Sequence, residues 1–315
     1  VATAGAPPDA QGRVSLSLHA GATVSEIHAA ARDPERLLVV ETSPAYPRTH
    51  GLPPDHPHSI ALDEIDVWIE SDARPVELPD AEAGPVEQAI ADHVARFVPS
   101  GATLQTGIGG IPNAVVALLA AGSGRDYGVH SEMFTDGLMR LQEAGKVRNR
   151  KGIYEGRSIT TFAMGSRALY DWLEDREDVC FLPVDIVNDP AVIARNHDLV
   201  SINGALEIDL FGQVVADSIG GVQHSGVGGH EDFLAGAGLI ADFHARAIGD
   251  IRNARFTACC DKVAERAEAL AGKYGAKAYT SYEEMVKSDD VDIVTIATPS
   301  GLHMEPTVAA AEAGK

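Results

Sequence analysis

The sequence predicts an α/β protein with parallel sheets, and three observations carry that prediction. Residues 103–121 run from the strand-like TLQTGI through a glycine turn into the helical NAVVALLAA, the strand–loop–helix unit of layered α/β folds. Residues 241–299 alternate helix (ADFHARAIGDI), strand (ARFTACCD), helix (KVAERAEALAGKYG), strand (AKAYT), helix (YEEMVKS) and strand (VDIVTIATP), a βαβ rhythm. The apolar runs Leu37-Leu38-Val39-Val40 and VCFLPVDIV (179–187) read as buried strands.

Length and composition set the bounds. At 315 residues the chain has room for more than one domain. Apolar residues make up 45% and charged residues 23%, an ordinary globular composition. Asp and Glu number 46 against 25 Lys and Arg, a net charge of −21. Nucleic-acid binding needs a basic face to release counterions, so a nucleic-acid partner is not expected. A local basic pocket for a phosphorylated cofactor stays compatible with that charge. Cys180, Cys259 and Cys260 form no CxxC pair, so neither a disulfide framework nor a zinc knuckle is predicted. No apolar run reaches the ~18 residues of a membrane span. The opening VATAGAPPDAQGR lacks a charged region followed by an apolar core, so no signal peptide is expected. Valine at position 1 suggests a missing start, and the expected setting is the cytoplasm.

Three segments follow along the chain: 1–78, 79–235 and 236–315. In the first, ETSPAYPRTHGLPPDHPH must be loop, because its prolines fit neither a helix interior nor a ladder. Ile65-Asp66-Val67-Trp68-Ile69 alternates like a half-buried strand, and ARPVELPDAEAGP reads as a linker. In the second, PVEQAIADHVARFV (85–98) has helical spacing, with Pro85 suited to a first turn. SINGALEIDLFGQVVAD (201–217) reads as strand, Gly212 turn, strand.

Three features of the second segment carry chemistry. The loop Gly107-Ile108-Gly109-Gly110-Ile111-Pro112 follows a strand and opens a helix, where backbone N–H groups can meet an anion. A tight strand-to-helix turn is the alternative. Glu132, in HSEMFTDG (130–137), lies just after the strand-like Tyr127-Gly128-Val129; a carboxylate at a strand's C-terminal end faces the ligand crevice of an α/β sheet. The alternative is a carboxylate that only complements a helix dipole. Gly226, Gly228 and Gly229, in GVGGHEDF, leave backbone N–H groups suited to a developing oxyanion, or make a simple flexible turn.

Rival residues need weighing. Glu207 and Asp209 share one face of a strand, and Glu207 is the second candidate nucleophile. His50, His56 and His58 are spaced irregularly between prolines, so no metal site is predicted. His130, close to Glu132 in HSEMFTDG, could tune the glutamate but is expected on the opposite face. Cys180 reads as a core residue.

QTGIGGIPNAV, HSEMFTDG, the stretch PVDIVNDPAVIARNHDLVSINGALEIDLFGQVVADSIGG and SGVGGHEDF together resemble the acetyl-CoA hydrolase/transferase family, most closely its 4-hydroxybutyrate and butyrate–acetate CoA-transferases. SPAYPRTHG resembles the loop near the end of that family's first domain, and the likeness covers about residues 1–236. The resemblance implies CoA-transferase-like (NagB/RpiA-like) layered α/β domains: the end of a first domain over 1–78 and a second, nucleophile-bearing domain over 79–235. It implies that Glu132 attacks an acyl-CoA thioester, that coenzyme A then forms a glutamyl thioester, and that a small carboxylate completes the exchange. Asn203 matches an asparagine beside bound coenzyme A, and Gln223 and Gly226 fall near further contacts. A homodimer is the assembly so implied.

Gly236-Ala237-Gly238-Leu239-Ile240-Ala241 matches GxGxxA, and Asp261 lies 20 residues beyond Ala241, a spacing suited to an acid on a ribose hydroxyl. From GAGLIADFHARAIGDI to the chain's last residue the sequence resembles the NAD(P)-binding domain of the glucose–fructose oxidoreductase/inositol dehydrogenase family. That likeness implies a partial Rossmann-type βαβ segment over 236–315, with Thr298, Pro299 and His303 of TPSGLH near the nicotinamide nucleotide. Two expected pieces are absent. GGHEDFLA is too polar for the buried strand that should precede the first glycine, and the family's Glu-Lys-Pro motif would follow Lys315. Two family fragments joined near 234–238 are therefore expected. Three readings stand: CoA transfer through Glu132, NAD(P)-dependent oxidoreduction by the tail, or an inactive chimeric fragment.

Overall fold

The computed structural model describes residues 1–21, 23–78, 83–208, 214–216, 218–220, 222–223, 228–229, 232–233, 245, 248, 254–296 and 304–315. The chain divides into two compact units, Val1–Phe233 and Leu234–Lys315.

The longer unit is α/β with parallel sheets, as the strand–loop–helix pattern predicts. One sheet pairs Val39–Thr42 in parallel with Ala2–Gly5 and Val67–Glu70. The helix Val24–Ala30 buries Val24, Ile27 and Ala30, its one apolar stripe, in a core with Val14, Leu16, Leu38, Val40 and Ile60. A second parallel sheet orders Leu199–Ile202, Thr103–Thr106 and Gly128–Val129. A third orders Ser158–Thr160, Arg176–Phe181 and Thr49–His50. An isolated parallel bridge, His130 to Ile159, joins the second sheet to the third. Helices Gly110–Ala121 and Asp136–Glu143 pack on this system through Val115, Val116, Leu119, Leu138 and Leu141.

Several expectations meet corrections. VCFLPVDIV is not one strand: the ladder stops at Phe181, and Pro183, at φ −55°, starts a helical turn over Val184–Val187. The Val67–Glu70 strand is not half-buried; Val67, Trp68 and Ile69 are all exposed, and neither face of the strand contributes to a core cluster. Thr49–His50, within the expected proline loop, is a short strand. SINGALEIDLFGQVVAD divides further than expected, into Leu199–Ile202 and a hairpin of Glu207–Ile208 with Val214–Val215; Gly212 lies outside the described residues.

In the shorter unit, Ala258–Cys260 and Lys277–Tyr279 pair in parallel, connected by the helix Ala264–Tyr274. Gly275, at φ 66°, caps that helix in the left-handed conformation glycine tolerates. The expected last strand is not seen over 291–296, and 297–303 lie outside the described residues.

Candidate active site

Three predicted positions meet at one edge of the second sheet. Gly107 follows Thr103–Thr106, Asn203 follows Leu199–Ile202, and Glu132 lies three residues past Gly128–Val129. All three are beyond the C-terminal ends of parallel strands, where α/β sheets open a ligand crevice. The side chain of Ser131 ties two of them together: its Oγ accepts from Thr106 N–H and donates to Thr106 O, each at 3.3 Å. Thr160 Oγ1 and the backbone N–H groups of Thr161 and Phe162 donate to Glu132 O, fixing its main chain.

The carboxylate itself is held by a hydrogen bond: Asn188 Nδ2 donates to Glu132 Oε2 at 2.6 Å and to Asp232 Oδ2 at 3.3 Å. Gly229 lies against that bond: a methyl there would overlap Glu132 Oε2 and Asn188 Nδ2 and come within 2.8 Å of Glu132 Cδ. Gly228 beside it sits at φ 65°, a conformation that favours glycine. The glutamate of HSEMFTDG and the glycine turn of GVGGHEDF are thus neighbours in space. The helix that follows is served instead by Asp136 in its first turn, whose carboxylate accepts from Ser166 N–H at 2.9 Å and from Ser166 Oγ.

The loop at 107–112 opens the helix Gly110–Ala121, with Gly109 at φ 117° and Ile108 half exposed. Gly107 lies against Asn203 Oδ1, which a methyl on that glycine would approach to 2.9 Å. Asn203 forms a reciprocal amide pair with Gln105: Gln105 Nε2 donates to Asn203 Oδ1 at 3.1 Å, and Asn203 Nδ2 donates to Gln105 Oε1 at 2.9 Å. Asn203 Nδ2 also donates to Ser201 Oγ at 2.9 Å, so the amide is engaged by Gln105 and Ser201.

The other candidates are placed as follows. Glu207 is exposed in its hairpin, away from these contacts, and Asp209 lies outside the described residues. Gln223 is exposed on the short strand Val222–Gln223. Gly226, Gly236, Gly238, Thr298, Pro299 and His303 lie outside the described residues. Asp261 follows the strand Ala258–Cys260, and its Oδ1 accepts from Val263 N–H at 2.8 Å. His50 pairs with Asp175 at 2.9 Å, while His58 is buried, bonded to Ser17 O and stacked on Phe181. Among the described residues no group of three or more His, Cys, Asp or Glu converges on a metal site. Cys180 is buried, and burial pushes its thiol up to about 11. A cavity of about 530 Å³ lies elsewhere, beside Tyr46, Arg48, Arg167 and Tyr170; both arginines already bond to Asp9, Asp171 and backbone carbonyls.

Sequence reasoning missed Asn188 and Asp232. Both fall inside quoted motifs, PVDIVNDP and GVGGHEDF, and the signal available was an asparagine just after a proline-started turn.

Comparisons with known proteins bear on both units. Residues 165–255 match the acetyl-CoA hydrolase/transferase C-terminal domain, and residues 233–315 match the oxidoreductase family, NAD-binding Rossmann fold. The chain is 40% identical over 210 residues to the 4-hydroxybutyrate coenzyme A transferase of Clostridium kluyveri, covering 66% of this chain and 47% of that protein. It is 37% identical over 205 residues to the butyryl-CoA:acetate CoA-transferase of Anaerostipes caccae, covering 64% and 45%. The crystal structure of RipA from Yersinia pestis superposes with a TM-score of 0.68 at 36% identity, covering 75% of this chain and 51% of that one. The chain spans about half the length of these relatives. No helix among the described residues is long and apolar enough to cross a membrane.

Proposed function

We propose that the chain is a member of the acetyl-CoA hydrolase/transferase family, whose C-terminal domain matches residues 165–255, and that it moves coenzyme A between an acyl-CoA and a small carboxylate through Glu132. The observation that carries the reading is the Glu132 carboxylate, held by Asn188 at 2.6 Å against the Gly229 backbone at the sheet's C-terminal edge. An oxygen of Glu132 attacks the thioester carbonyl. The C–S bond breaks, and an acyl–glutamyl anhydride forms with release of the coenzyme A thiolate. The thiolate adds to Glu132 Cδ and the original acid leaves as its carboxylate, giving a glutamyl–CoA thioester. The acceptor carboxylate then attacks Cδ, expelling thiolate, and the thiolate takes the new acyl group and frees Glu132. A carboxylate is a weak nucleophile in water; a fixed position close to the thioester makes it competent.

Each addition creates an oxyanion, which needs donors already in place. We assign these to backbone N–H groups of the turn at Gly226, Gly228 and Gly229, and coenzyme A contacts to Gly107, Gly109, Gly110, Ile111, Pro112, Asn203 and Gln223. Pro112 has no N–H and contributes shape alone. A cytoplasmic homodimer, with 1–78 and 79–235 as parts of two transferase domains and 236–315 as a nucleotide-binding segment, belongs to the same proposal. Acids of the acetate, butyrate or 4-hydroxybutyrate type are the substrates, by likeness to the relatives named above. The test is turnover of acetyl-CoA or butyryl-CoA with each acid by the full chain. Glu132→Gln abolishes transfer on this reading; transfer that persists in Glu132→Gln overturns it.

A second reading concerns the shorter unit, favoured by its match to NAD-binding oxidoreductases. Asp261 stands at a strand's C-terminal end, where dinucleotide folds place an acceptor for ribose hydroxyls. NAD(P) bound there raises the melting temperature by mass action; no shift at a saturating NADH concentration rejects this reading.

A further inference from the structure

A pocket of about 260 Å³ opens beside Phe162–Ala163, the short strand that pairs with Met133–Phe134 just after Glu132. Phe162 stands opposite Met133 in that parallel pair, and His19 stands opposite Phe162 in an antiparallel bridge. Cross-strand partners project to one face, and the His19 and Phe162 rings meet edge to face at 6.3 Å. Phe162 N–H also donates to Glu132 O at 3.1 Å. Three neighbouring chain segments thus lead from Glu132 to His19, two spacings of about 5 Å each.

The loop that carries His19 lies against the elements around Glu132. Ala20 and Gly21 N–H donate to Thr161 O at 2.8 and 3.2 Å, and Thr161 N–H donates to Glu132 O at 3.0 Å. On its other side, Gly21 O accepts from Val184 N–H at 3.1 Å, the first residue of the turn Val184–Val187. Gly21, at φ 47°, lets the His19 ring fold over its backbone, and a methyl there would overlap that ring.

The pocket's lining is uncharged. Leu18, Val76, Phe162 and Met164 give it apolar walls, and its polar side chains are His19, Tyr46 and Tyr170. Tyr170 Oη donates to Val76 O at 2.7 Å and accepts from Gly165 N–H at 3.2 Å. The His19 ring and the Tyr46 hydroxyl have no hydrogen-bond partner among the described residues. Burial pushes His19 below its ordinary 6.5, and burial together with Glu41 pushes Tyr46 above its ordinary 10, so both are uncharged at neutral pH. Ligand pockets pair apolar walls with a few convergent polar groups, and this one is below the ~300–1,000 Å³ that drug-sized ligands fill. An ionised carboxylate brought into it would find no cation. Arg48 and Arg167, in the larger cavity that Tyr46 and Tyr170 also border, are already bonded to protein oxygens.

We infer that this pocket is the acyl-tail subsite of the transfer reaction: it receives a short uncharged tail, offers Tyr46 and His19 to a hydroxyl at the tail's end, and turns away a tail that ends in a second carboxylate. The inference rests on the reading of Glu132 as nucleophile. An acyl group carried on Glu132 starts beside the Phe162 strand and runs along the Phe162 ring toward His19. A hydroxyl both donates and accepts, so it can meet a phenol and a neutral imidazole together. Polar groups waiting in a pocket discriminate against an analogue that leaves them unpaired. Tyr46 and His19 are therefore specificity residues, and they act on the part of the substrate that does not react.

The test is CoA transfer to acetate by the full chain from butyryl-CoA, 4-hydroxybutyryl-CoA and succinyl-CoA, read as kcat/KM for each donor. Succinyl-CoA is expected about 100-fold or more below the other two, because its free carboxylate enters unpaired. Tyr46→Phe keeps the ring and loses the hydroxyl, and it lowers the ratio of 4-hydroxybutyryl-CoA to butyryl-CoA use about ten-fold. Met164→Lys is the second variant. Met164 is 37% exposed, so a lysine there keeps its stem on the wall and brings an ammonium to the pocket. It raises succinyl-CoA use relative to butyryl-CoA about ten-fold. The Kd for free coenzyme A, measured by calorimetry, stays within a few-fold of the wild type in both variants. A full chain without transfer, or with transfer that survives Glu132→Gln, overturns the functional reading and this inference with it. Glu132-dependent transfer that uses succinyl-CoA as well as butyryl-CoA overturns this inference alone. So does an unchanged donor preference in both folded variants, or a loss of affinity for free coenzyme A as large as that for acyl-CoA.

Discussion

Replacing Gly229 with alanine probes the active centre with a single added methyl. The new carbon would overlap Glu132 Oε2 and Asn188 Nδ2 and lie 2.8 Å from Glu132 Cδ. Ordinary carbon–carbon contact is about 3.5–4.0 Å, so the carboxylate must retreat by about 1 Å. A displacement of that size in a reacting group costs about 100-fold in rate. Gly229 lies outside the left-handed region, so alanine meets no backbone penalty there. Gly228→Ala is the matched control: its φ of 65° strains alanine by about 1 kcal/mol, but open space surrounds the position. The expected outcome is a cross-over. Gly229→Ala keeps its melting temperature within a few degrees and loses turnover; Gly228→Ala is less stable and keeps turnover at temperatures where it is folded. Calorimetry and a CoA-transfer assay read the two quantities separately. Wild-type turnover in Gly229→Ala would refute the claim that Glu132 works from this position.

Three further expectations follow from buried groups. His58 and His130 are both pushed by burial from 6.5 down to about 4. Unfolded chains protonate these rings below about pH 6.5 and the folded chain does not, so their stabilising contribution is complete above that pH. It is lost as pH falls toward 4, by up to about 1.4 kcal/mol per unit for each ring; urea midpoints that do not fall between neutral pH and pH ~5 contradict this. Cys180, with its thiol at about 11, stays unmodified by iodoacetamide in the native protein at neutral pH, and labelling without denaturant contradicts its placement. Gln105→Leu removes both amide bonds to Asn203, which keeps its bond to Ser201 Oγ, and costs about 1 kcal/mol; an unchanged urea midpoint rules that pairing out.

The parts of this molecule that depend on local pattern were legible in the sequence. The strand–loop–helix at 103–121, the helix opening at Pro85 and the parallel pair around Ala264–Tyr274 all follow from periodicity and turn chemistry. His130 does lie in the interior, as expected, but not through alternation: a period of two would set residues 130 and 132 on one face, and they part because the strand stops at Val129. Burial was less legible. Ile65–Ile69 alternates well, yet Val67, Trp68 and Ile69 are all exposed and outside both core clusters, and a sequence pattern does not say whether another layer covers a strand's face. Pro183 was the overlooked punctuation in VCFLPVDIV; reading it as a helix start places Asn188 at the end of a turn. That Asn188 bridges Glu132 and Asp232 depends on three segments far apart in sequence, which no local rule joins.

The central claim is chemical: Glu132 Cδ becomes the carbon to which coenzyme A is attached. Borohydride reduction of the full chain after incubation with acyl-CoA, followed by peptide mass spectrometry, tests it directly. The account predicts reduction at Glu132, dependent on acyl-CoA and absent in Glu132→Gln. Reduction at Glu207, or an unmodified Glu132 while the protein turns over acyl-CoA, would contradict it.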